Sequence, residues 1–150
     1  MAEAGQRVLV FRLGEITFML ELAQIVEIVE QTADILDPGR SDISRGIVSA
    51  LKFRKTWIPV VDPALKLDIF SPVALKDKVA IILRSSEGNW ALLVDSVSEL
   101  LVADKFKLCE IPFLLQVSAS GFYSQIKLLG STPVVVFEPE SYYGSTSVAV

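Results

Sequence analysis

Apolar residues along this chain come in short runs separated by turn residues, a pattern that predicts β-strands rather than long helices. Residues 7–13 and 16–22 are two such runs joined by Gly14-Glu15, and residues 25–31 form a third. In the first run, positions 8 and 10 lie on one face and positions 9, 11 and 13 on the other. Because both faces are apolar, we predict a strand that is largely covered on both sides.

The pattern of these three runs occurs a second time in the chain. Residues 8–29 align without a gap on residues 80–101, and their apolar positions agree far more often than their identities do. The identical pairs are Arg12/Arg84, Glu15/Glu87, Leu20/Leu92 and Glu27/Glu99. A connector at 70–77 falls between the two copies. Such self-similarity predicts two related β units, residues 7–70 and 78–142, within one domain.

A basic turn separates two further apolar runs, 46–51 and 56–61, and predicts a hairpin. Its cations are Lys52, Arg54 and Lys55, which form either a solvated turn or a contact for an acidic partner. Pro59 cannot donate a ladder hydrogen bond, so we expect its strand to be an edge strand or to be bulged there.

Other segments complete the predicted fold. Asp62 followed by Pro63 is typical of a helix start and predicts one helical turn over residues 63–67. Residues 122–129 and 133–138 predict a closing hairpin. We further expect a loop at 34–42, a last helical turn at 140–143 and a disordered tail at 144–150.

Composition and charge narrow the class of protein. Hydrophobic residues make up 51% of the 150 residues and charged residues 21%, which is typical of a globular protein. The longest apolar runs have about five residues, against about 20 for a membrane-spanning helix, and no signal peptide precedes them. We therefore expect a soluble cytoplasmic protein without membrane insertion. The net charge of −4 argues against a nucleic-acid partner, which needs a concentrated basic face.

The chain has few side chains suited to catalysis. It contains no histidine, which excludes His-based triads, zinc sites and phospho-relays. Its single cysteine, Cys109, has no His or basic neighbour placed to activate it, and we interpret it as a small core residue. The sequence shows no metal-ligand cluster and no Gly-rich phosphate loop, so no cofactor is expected.

Two aspartates end apolar runs at similar places, Asp62 after residues 57–61 and Asp95 after residues 90–94. Paired carboxylates can act in acid–base catalysis. A strand-end aspartate more often accepts hydrogen bonds from local backbone N–H groups and caps the next segment of the chain. We favour this structural interpretation, and a small enzyme using Asp62 or Asp95 stays open as a remote alternative.

Aromatic residues in loop-like stretches are candidates for contacts with other proteins. They are Phe122, Tyr142, Tyr143 and the segment 113–115. Such side chains either anchor a partner or plug the ends of the β units.

Three motifs resemble those of one known family. They are residues 11–18 with 25–28, residues 46–48 leading to Ile58-Pro59-Val60-Val61-Asp62, and residues 90–97. In this order they resemble the CheW-like domains of bacterial chemotaxis coupling proteins, and the resemblance extends over residues 7–142. It implies an all-β fold of two intertwined, five-stranded SH3-like barrels with one or two short helical turns, and no catalytic activity.

The resemblance also implies partners. It indicates an adaptor in signal transduction that binds the regulatory domain of a CheA-type histidine kinase and the cytoplasmic tip of a methyl-accepting chemoreceptor, at membrane-associated receptor arrays. In the family the receptor lies against the groove between the barrels. The positions that match the family's receptor-contact motif are Ile25, Glu27 and Arg54, and Lys52 and Lys55 are candidate partner contacts beside them.

The chain departs from the family at residues 49–56, a longer connection with Lys55 where family members have Gly. Because Gly reaches positive φ easily and Lys does not, we expect this turn to be built differently. The alternative function is therefore a CheW-like scaffold in another signalling route, such as motility, development or gene regulation, without a standard chemoreceptor.

Overall fold

The structure is a computed structural model that describes residues 6–139 except 33, 43, 45, 67, 68, 75, 76, 87, 103–105 and 110–125. Within this part of the chain the backbone is almost entirely β. The strands are β1 (Arg7–Leu13), β2 (Ile16–Glu21), β3 (Ile25–Val29), β4 (Leu36–Asp37), β5 (Ile47–Phe53), β6 (Thr56–Val61), β7 (Val79–Ser85), β8 (Gly88–Val94), β9 (Ser96–Val102), β10 (Phe106–Cys109), β11 (Ile126–Leu129) and β12 (Thr132–Val136). The short helical elements are α1 (Pro63–Lys66) and 3₁₀ turns at Leu22–Gln24 and Pro38–Arg40.

The strands form two mixed sheets, each built from both halves of the chain. The first sheet has the order β10-β11-β12-β2-β1-β9, and the second has the order β3-β7-β8-β6-β5-β4. The hairpin β1–β2 is thus flanked by strands of the second half, and β7–β8 by strands of the first. In each sheet one of these junctions is parallel, β12 with β2 and β6 with β8. The predicted all-β, intertwined fold with short helical turns is confirmed, with six described strands in each sheet instead of the predicted five.

The sequence repeat is visible in this topology. The strands β1, β2 and β3 correspond to β7, β8 and β9, and each copy pairs its first two strands as a hairpin. The third strand of each copy then pairs with the first strand of the other, β3 with β7 and β9 with β1. This exchange covers one edge of each hairpin, which would otherwise expose unpaired backbone groups.

The core has one cluster between the sheets and one within each sheet. The shared cluster includes Leu9, Phe11 and Leu13 from β1 and Leu83 from β7. Val8 and Val10 point to the other side of β1 and pack with Val134 in a cluster of the first sheet alone. The prediction that both faces of β1 are covered is confirmed. A third cluster, within the second sheet, is lined by Leu51, Phe53, Ile58, Val60, Ala80, Ile82, Ala91 and Leu93.

Stacked aromatic rings organise the shared cluster. Phe11 and Phe18 face each other across β1 and β2 with ring centroids 5.3 Å apart and nearly parallel planes. Phe137, which follows β12, packs edge-on against both rings. Such contacts add about 0.5–1.5 kcal/mol each to the burial of the side chains. The segment after β12 is thereby held on the hairpin of the other half.

Strand β6 differs from its prediction. It lies inside the second sheet between β5 and β8, and the register shift falls in β5, between Ile47 and Ser49. Its described pairs with β8 are Val60 with Ala91 and Val61 with Leu92, so this pairing begins just after Pro59. The prolyl nitrogen therefore precedes the parallel ladder, and its missing N–H costs no hydrogen bond there.

Other predicted elements agree more closely. Helix α1 begins at Pro63, and Asp62 Oδ1 accepts a hydrogen bond from the Ala64 N–H at 3.1 Å, as expected of an N-cap. The closing hairpin is confirmed as β11–β12. The predicted loop at 34–42 contains β4 and a 3₁₀ turn, and β10 was not predicted.

Several predictions fall outside the described residues. They are the last helical turn at 140–143, the tail at 144–150 and the aromatic candidates at 113–115, 122, 142 and 143; the side chain of Cys109 also lies outside the description. Among the helices that are described, none has the length and apolar character needed to span a membrane.

Candidate functional site

The basic hairpin tip is a tight two-residue turn. Phe53 of β5 pairs with Thr56 of β6, so Arg54 and Lys55 alone connect the strands. Their φ angles are 51° and 69°, the left-handed values that a type I′ hairpin turn requires at both central residues. We expected this turn to be built differently because Lys reaches positive φ less easily than Gly, but Lys55 itself adopts a positive φ. A left-handed non-glycine residue costs about 1 kcal/mol, so the tip is strained.

Arg54 reaches from this turn to the edge strand β3. Its Nη2 lies 3.7 Å from Glu27 Oε1, and the two side chains are 72% and 47% exposed. The guanidinium also lies over the ring of Phe53, with 4.7 Å from Cζ to the ring centroid. Phe53 is buried in the cluster of the second sheet, so packing fixes the position of its ring. The ion pair therefore spans the rim of the second sheet between β3 and the β5–β6 turn.

Ile25 lies on the same edge strand as Glu27. It pairs with Leu83 of β7 and packs, half-buried, against the cluster shared by the two sheets. A register irregularity separates it from Glu27, which pairs with Ile82. The structure thus joins Glu27 directly to Arg54, and it places Ile25 nearby on β3 with its side chain turned toward the other sheet.

Lys52 and Lys55 are both exposed on the hairpin. Lys52 lies opposite Trp57 in the β5–β6 register, with Nζ 6.0 Å from the Trp57 ring centroid. Arg40 lies over the same ring, with Cζ at 4.3 Å from its centroid. Neither Arg40 nor Trp57 was among the predicted site residues. Trp57 could have been found as a large aromatic residue two positions after the basic turn, whereas Arg40 comes to it only through the fold.

The two strand-end aspartates form a buried cluster with a lysine that no sequence pattern singles out. Lys78 Nζ lies 3.2 Å from Asp62 Oδ2 and 3.6 Å from Asp95 Oδ1, and the three side chains are 3–9% exposed. Asp95 Oδ2 accepts the Gly14 N–H at 2.7 Å, and its Oδ1 accepts the Ser71 hydroxyl at 2.5 Å. Lys78 could not be recognised because it stands between the connector and the first residue of β7, outside any motif.

The hydrogen bonds of this cluster indicate a structural role. Asp62 caps α1, as its structural interpretation predicted, while Asp95 binds a distant backbone group in the β1–β2 turn of the other sheet. Each carboxylate is thus held by an N–H group and by the Lys78 ammonium. Across the described residues, no three His, Cys, Asp or Glu side chains are grouped so that they could hold a metal ion.

These features define a class of protein: an all-β domain of two intertwined sheets, with a buried ionic cluster between its halves and a charged hairpin tip at its surface. The model of the CheW-like domain family matches residues 7–145. The chain therefore belongs to the CheW-like domain family.

A solved structure supports the fold. The chain is similar to the scaffolding protein TtCheW from Thermoanaerobacter tengcongensis, with a TM-score of 0.70 and 19% sequence identity. The match covers 89% of this chain and 84% of that chain. At this identity the likeness concerns the fold alone. No curated protein matches the chain.

Proposed function

We propose that this chain is a non-enzymatic adaptor that couples methyl-accepting chemoreceptors to a CheA-type histidine kinase. It binds the cytoplasmic tip of a receptor through one surface and the regulatory domain of the kinase through another. Each contact then raises the effective concentration of the other partner and sets its geometry. In this role the protein acts in the cytoplasm, at membrane-associated receptor arrays, and needs no cofactor. Membership of the CheW-like domain family and the likeness to the scaffolding protein TtCheW support the proposal.

The receptor surface that we propose is centred on the ion pair of Glu27 with Arg54. This is the observation that carries the proposal, because two of the residues assigned by resemblance meet at 3.7 Å on the protein surface although they lie on different strands. Both side chains remain more than 45% exposed, as a contact residue requires. Ile25 lies half-buried nearby on the same strand, and Lys55 adds positive charge at the hairpin tip, whereas Lys52 points to the opposite face of the hairpin.

A comparison within the molecule favours a functional origin for the basic tip. The hairpin β11–β12 occupies the equivalent place in the first sheet, beside β2 as β6 lies beside β8. Its turn is formed by Gly130 and Ser131, with Gly130 at a φ of 65°. Since the fold accepts a glycine turn there, it does not require Arg54 and Lys55, whose left-handed conformations cost stability. Backbone strain that lowers stability and is nevertheless retained is typical of functional sites.

A pull-down with an immobilised receptor tip tests this proposal. We expect Arg54→Asp to weaken receptor binding at least about tenfold, equivalent to 1.4 kcal/mol, because charge reversal also repels Glu27. Kinase binding and the circular dichroism spectrum should stay unchanged. Arg7→Asp, at an exposed position of the first sheet, is the matched control and should bind as the wild type does. Undiminished receptor binding by Arg54→Asp would disprove this receptor surface.

One observation favours the alternative, a CheW-like scaffold for another signalling route. Lys55 adds a cation where the family resemblance places Gly, so this tip presents more positive charge than the family pattern implies. Co-purification from the native cell separates the two functions. Recovery of a kinase together with a chemoreceptor supports the first, and recovery of a kinase without a receptor supports the second.

A further inference from the structure

A second surface lies on the opposite side of the same hairpin. Along β5 and β6 the side chains alternate, so Phe53 and Ile58 enter the second sheet's cluster while Lys52 and Trp57 point the other way. Trp57 is 38% exposed, although tryptophan is among the most costly side chains to leave in water. This second surface therefore lies on a different face of the hairpin from the Glu27–Arg54 pair, and it contains an exposed aromatic ring instead of an ion pair.

Two cations border the exposed Trp57 ring. Arg40 lies over it, with Cζ at 4.3 Å from the ring centroid, and Lys52 Nζ lies at 6.0 Å. Both distances are within the range of cation–π attraction. Asp37 fixes Arg40 from behind through an ion pair of 3.2 Å with its Nε. These contacts restrict the Trp57 ring and the Arg40 guanidinium before a partner binds, which lowers the entropy cost of binding.

We propose that Arg40, Lys52 and Trp57 form a docking site for an acidic segment of a partner protein that also carries an apolar side chain. The carboxylates of such a segment complement the positive charge of Lys52. The apolar side chain covers the exposed part of the Trp57 ring. Within the described part of the chain, no carboxylate lies within 4.0 Å of the Lys52 ammonium, so this charge is available to a partner. An aromatic ring flanked by cations is a typical energetic centre of a protein interface.

Charge favours this occupant over others. The chain has a net charge of −4, whereas the cations concentrated at this hairpin make the local charge positive. Two cations with a neighbouring Asp37 are too few to neutralise a nucleic-acid backbone. A membrane surface would need a broad apolar face, whereas Trp57 stands among charged side chains.

The two tryptophans allow a direct test. Trp57 is exposed and Trp90 is buried, so their indole N–H signals in a ¹⁵N spectrum of the full chain report the surface and the core separately. Trp57→Phe assigns the signals. The probe is a synthetic peptide of alternating Glu and Leu, and the control peptide carries Gln in place of Glu. We expect the Glu peptide to shift the Trp57 signal saturably, and the Gln peptide to bind at least about tenfold more weakly.

Variants identify the residues involved. Arg40→Gln with Lys52→Gln should weaken the Glu peptide at least about tenfold, whereas Arg54→Ala should leave its affinity unchanged. An unshifted Trp90 signal verifies in each case that the core is intact. Equal responses to both peptides, or no response to either, would overturn the proposal. So would a Trp57 shift that phosphatidylglycerol vesicles produce and the Glu peptide does not. The receptor pull-down depends on Arg54 instead, so the failure of one proposal does not decide the other.

Discussion

The ammonium group of Lys78 lies 3.2 Å from Asp62 Oδ2 inside the protein, where both side chains are less than 10% exposed. Asp62 immediately follows β6 and Lys78 immediately precedes β7, so the pair joins the last strand of the first half of the chain to the first strand of the second half. Asp95 shares the same ammonium and links it, through the Gly14 N–H, to the other sheet. One buried cation thus connects both halves.

Removal of this cation should be strongly destabilising. Lys78→Met leaves Asp62 and Asp95 buried without their counter-charge, which we expect to lower the free energy of unfolding by about 3–5 kcal/mol. Urea unfolding measures it. Lys52→Met, at an exposed position, should change stability by no more than about 0.5 kcal/mol.

A compensating variant sharpens this prediction. Asp62→Asn and Asp95→Asn in the Lys78→Met background should recover part of the lost stability, because neutral amides leave no unpaired charge. If Lys78→Met alone unfolds at the wild-type urea concentration, the cluster does not have the role assigned to it.

Gly14 should tolerate no side chain. Its φ is +58°, and a Cβ at this position would overlap the carbonyl oxygen of Phe70 in the connector. Gly130 has a similar φ of +65° but open space around it. We expect Gly130→Ala to cost about 1 kcal/mol from the backbone conformation alone, and Gly14→Ala to cost clearly more.

Thermal or urea unfolding of these two variants separates backbone strain from steric overlap. Equal losses would show that the connector moves away from the β1–β2 turn without cost. In that case the contact between Gly14 and the connector does not help to hold the two halves together.

Relief of the strain at the hairpin tip should increase the stability of the protein. Lys55→Gly removes the left-handed strain at a φ of 69°, and we expect a gain of up to about 1 kcal/mol in the free energy of unfolding, reduced by the greater freedom of Gly in the unfolded chain. Lys52→Gly, within β5, should instead lose about 0.5–1 kcal/mol. Chemical unfolding of both variants gives the two signs, and a loss at position 55 would contradict the assigned strain.

The Glu27–Arg54 pair should contribute little to stability. Exposed ion pairs typically add about 0–1 kcal/mol, and the Arg54 and Glu27 side chains are 72% and 47% exposed. A double-mutant cycle with Glu27→Gln and Arg54→Gln, measured by urea unfolding, should therefore give a coupling below about 1 kcal/mol. A larger coupling would mean that the pair is structural, and any loss of partner binding in these variants would then have to be corrected for unfolding.

Local patterns in the chain predicted much of the fold. The two-sided burial of β1, the Asp62 cap of α1 and the hairpin of β5 and β6 all follow from side-chain periodicity and turn chemistry within a few residues. The left-handed Lys55 did not follow, because intrinsic preference favours Gly at such a φ and the pairing of Phe53 with Thr56 overrides it. Prediction of β4 and β10 failed because two to four residues carry too little periodicity.

The sequence by itself determined that the protein is built from two similar β units, where most strands and turns lie, and which family motifs it carries. Only the tertiary structure decided that β3 pairs with β7 and β9 with β1, that Arg54 meets Glu27 and that Lys78 joins Asp62 to Asp95. The physical reason is the distance along the chain over which each interaction acts. Side-chain alternation reports which face of a strand is buried, whereas the choice of neighbouring strand depends on packing between segments that lie far apart in the chain.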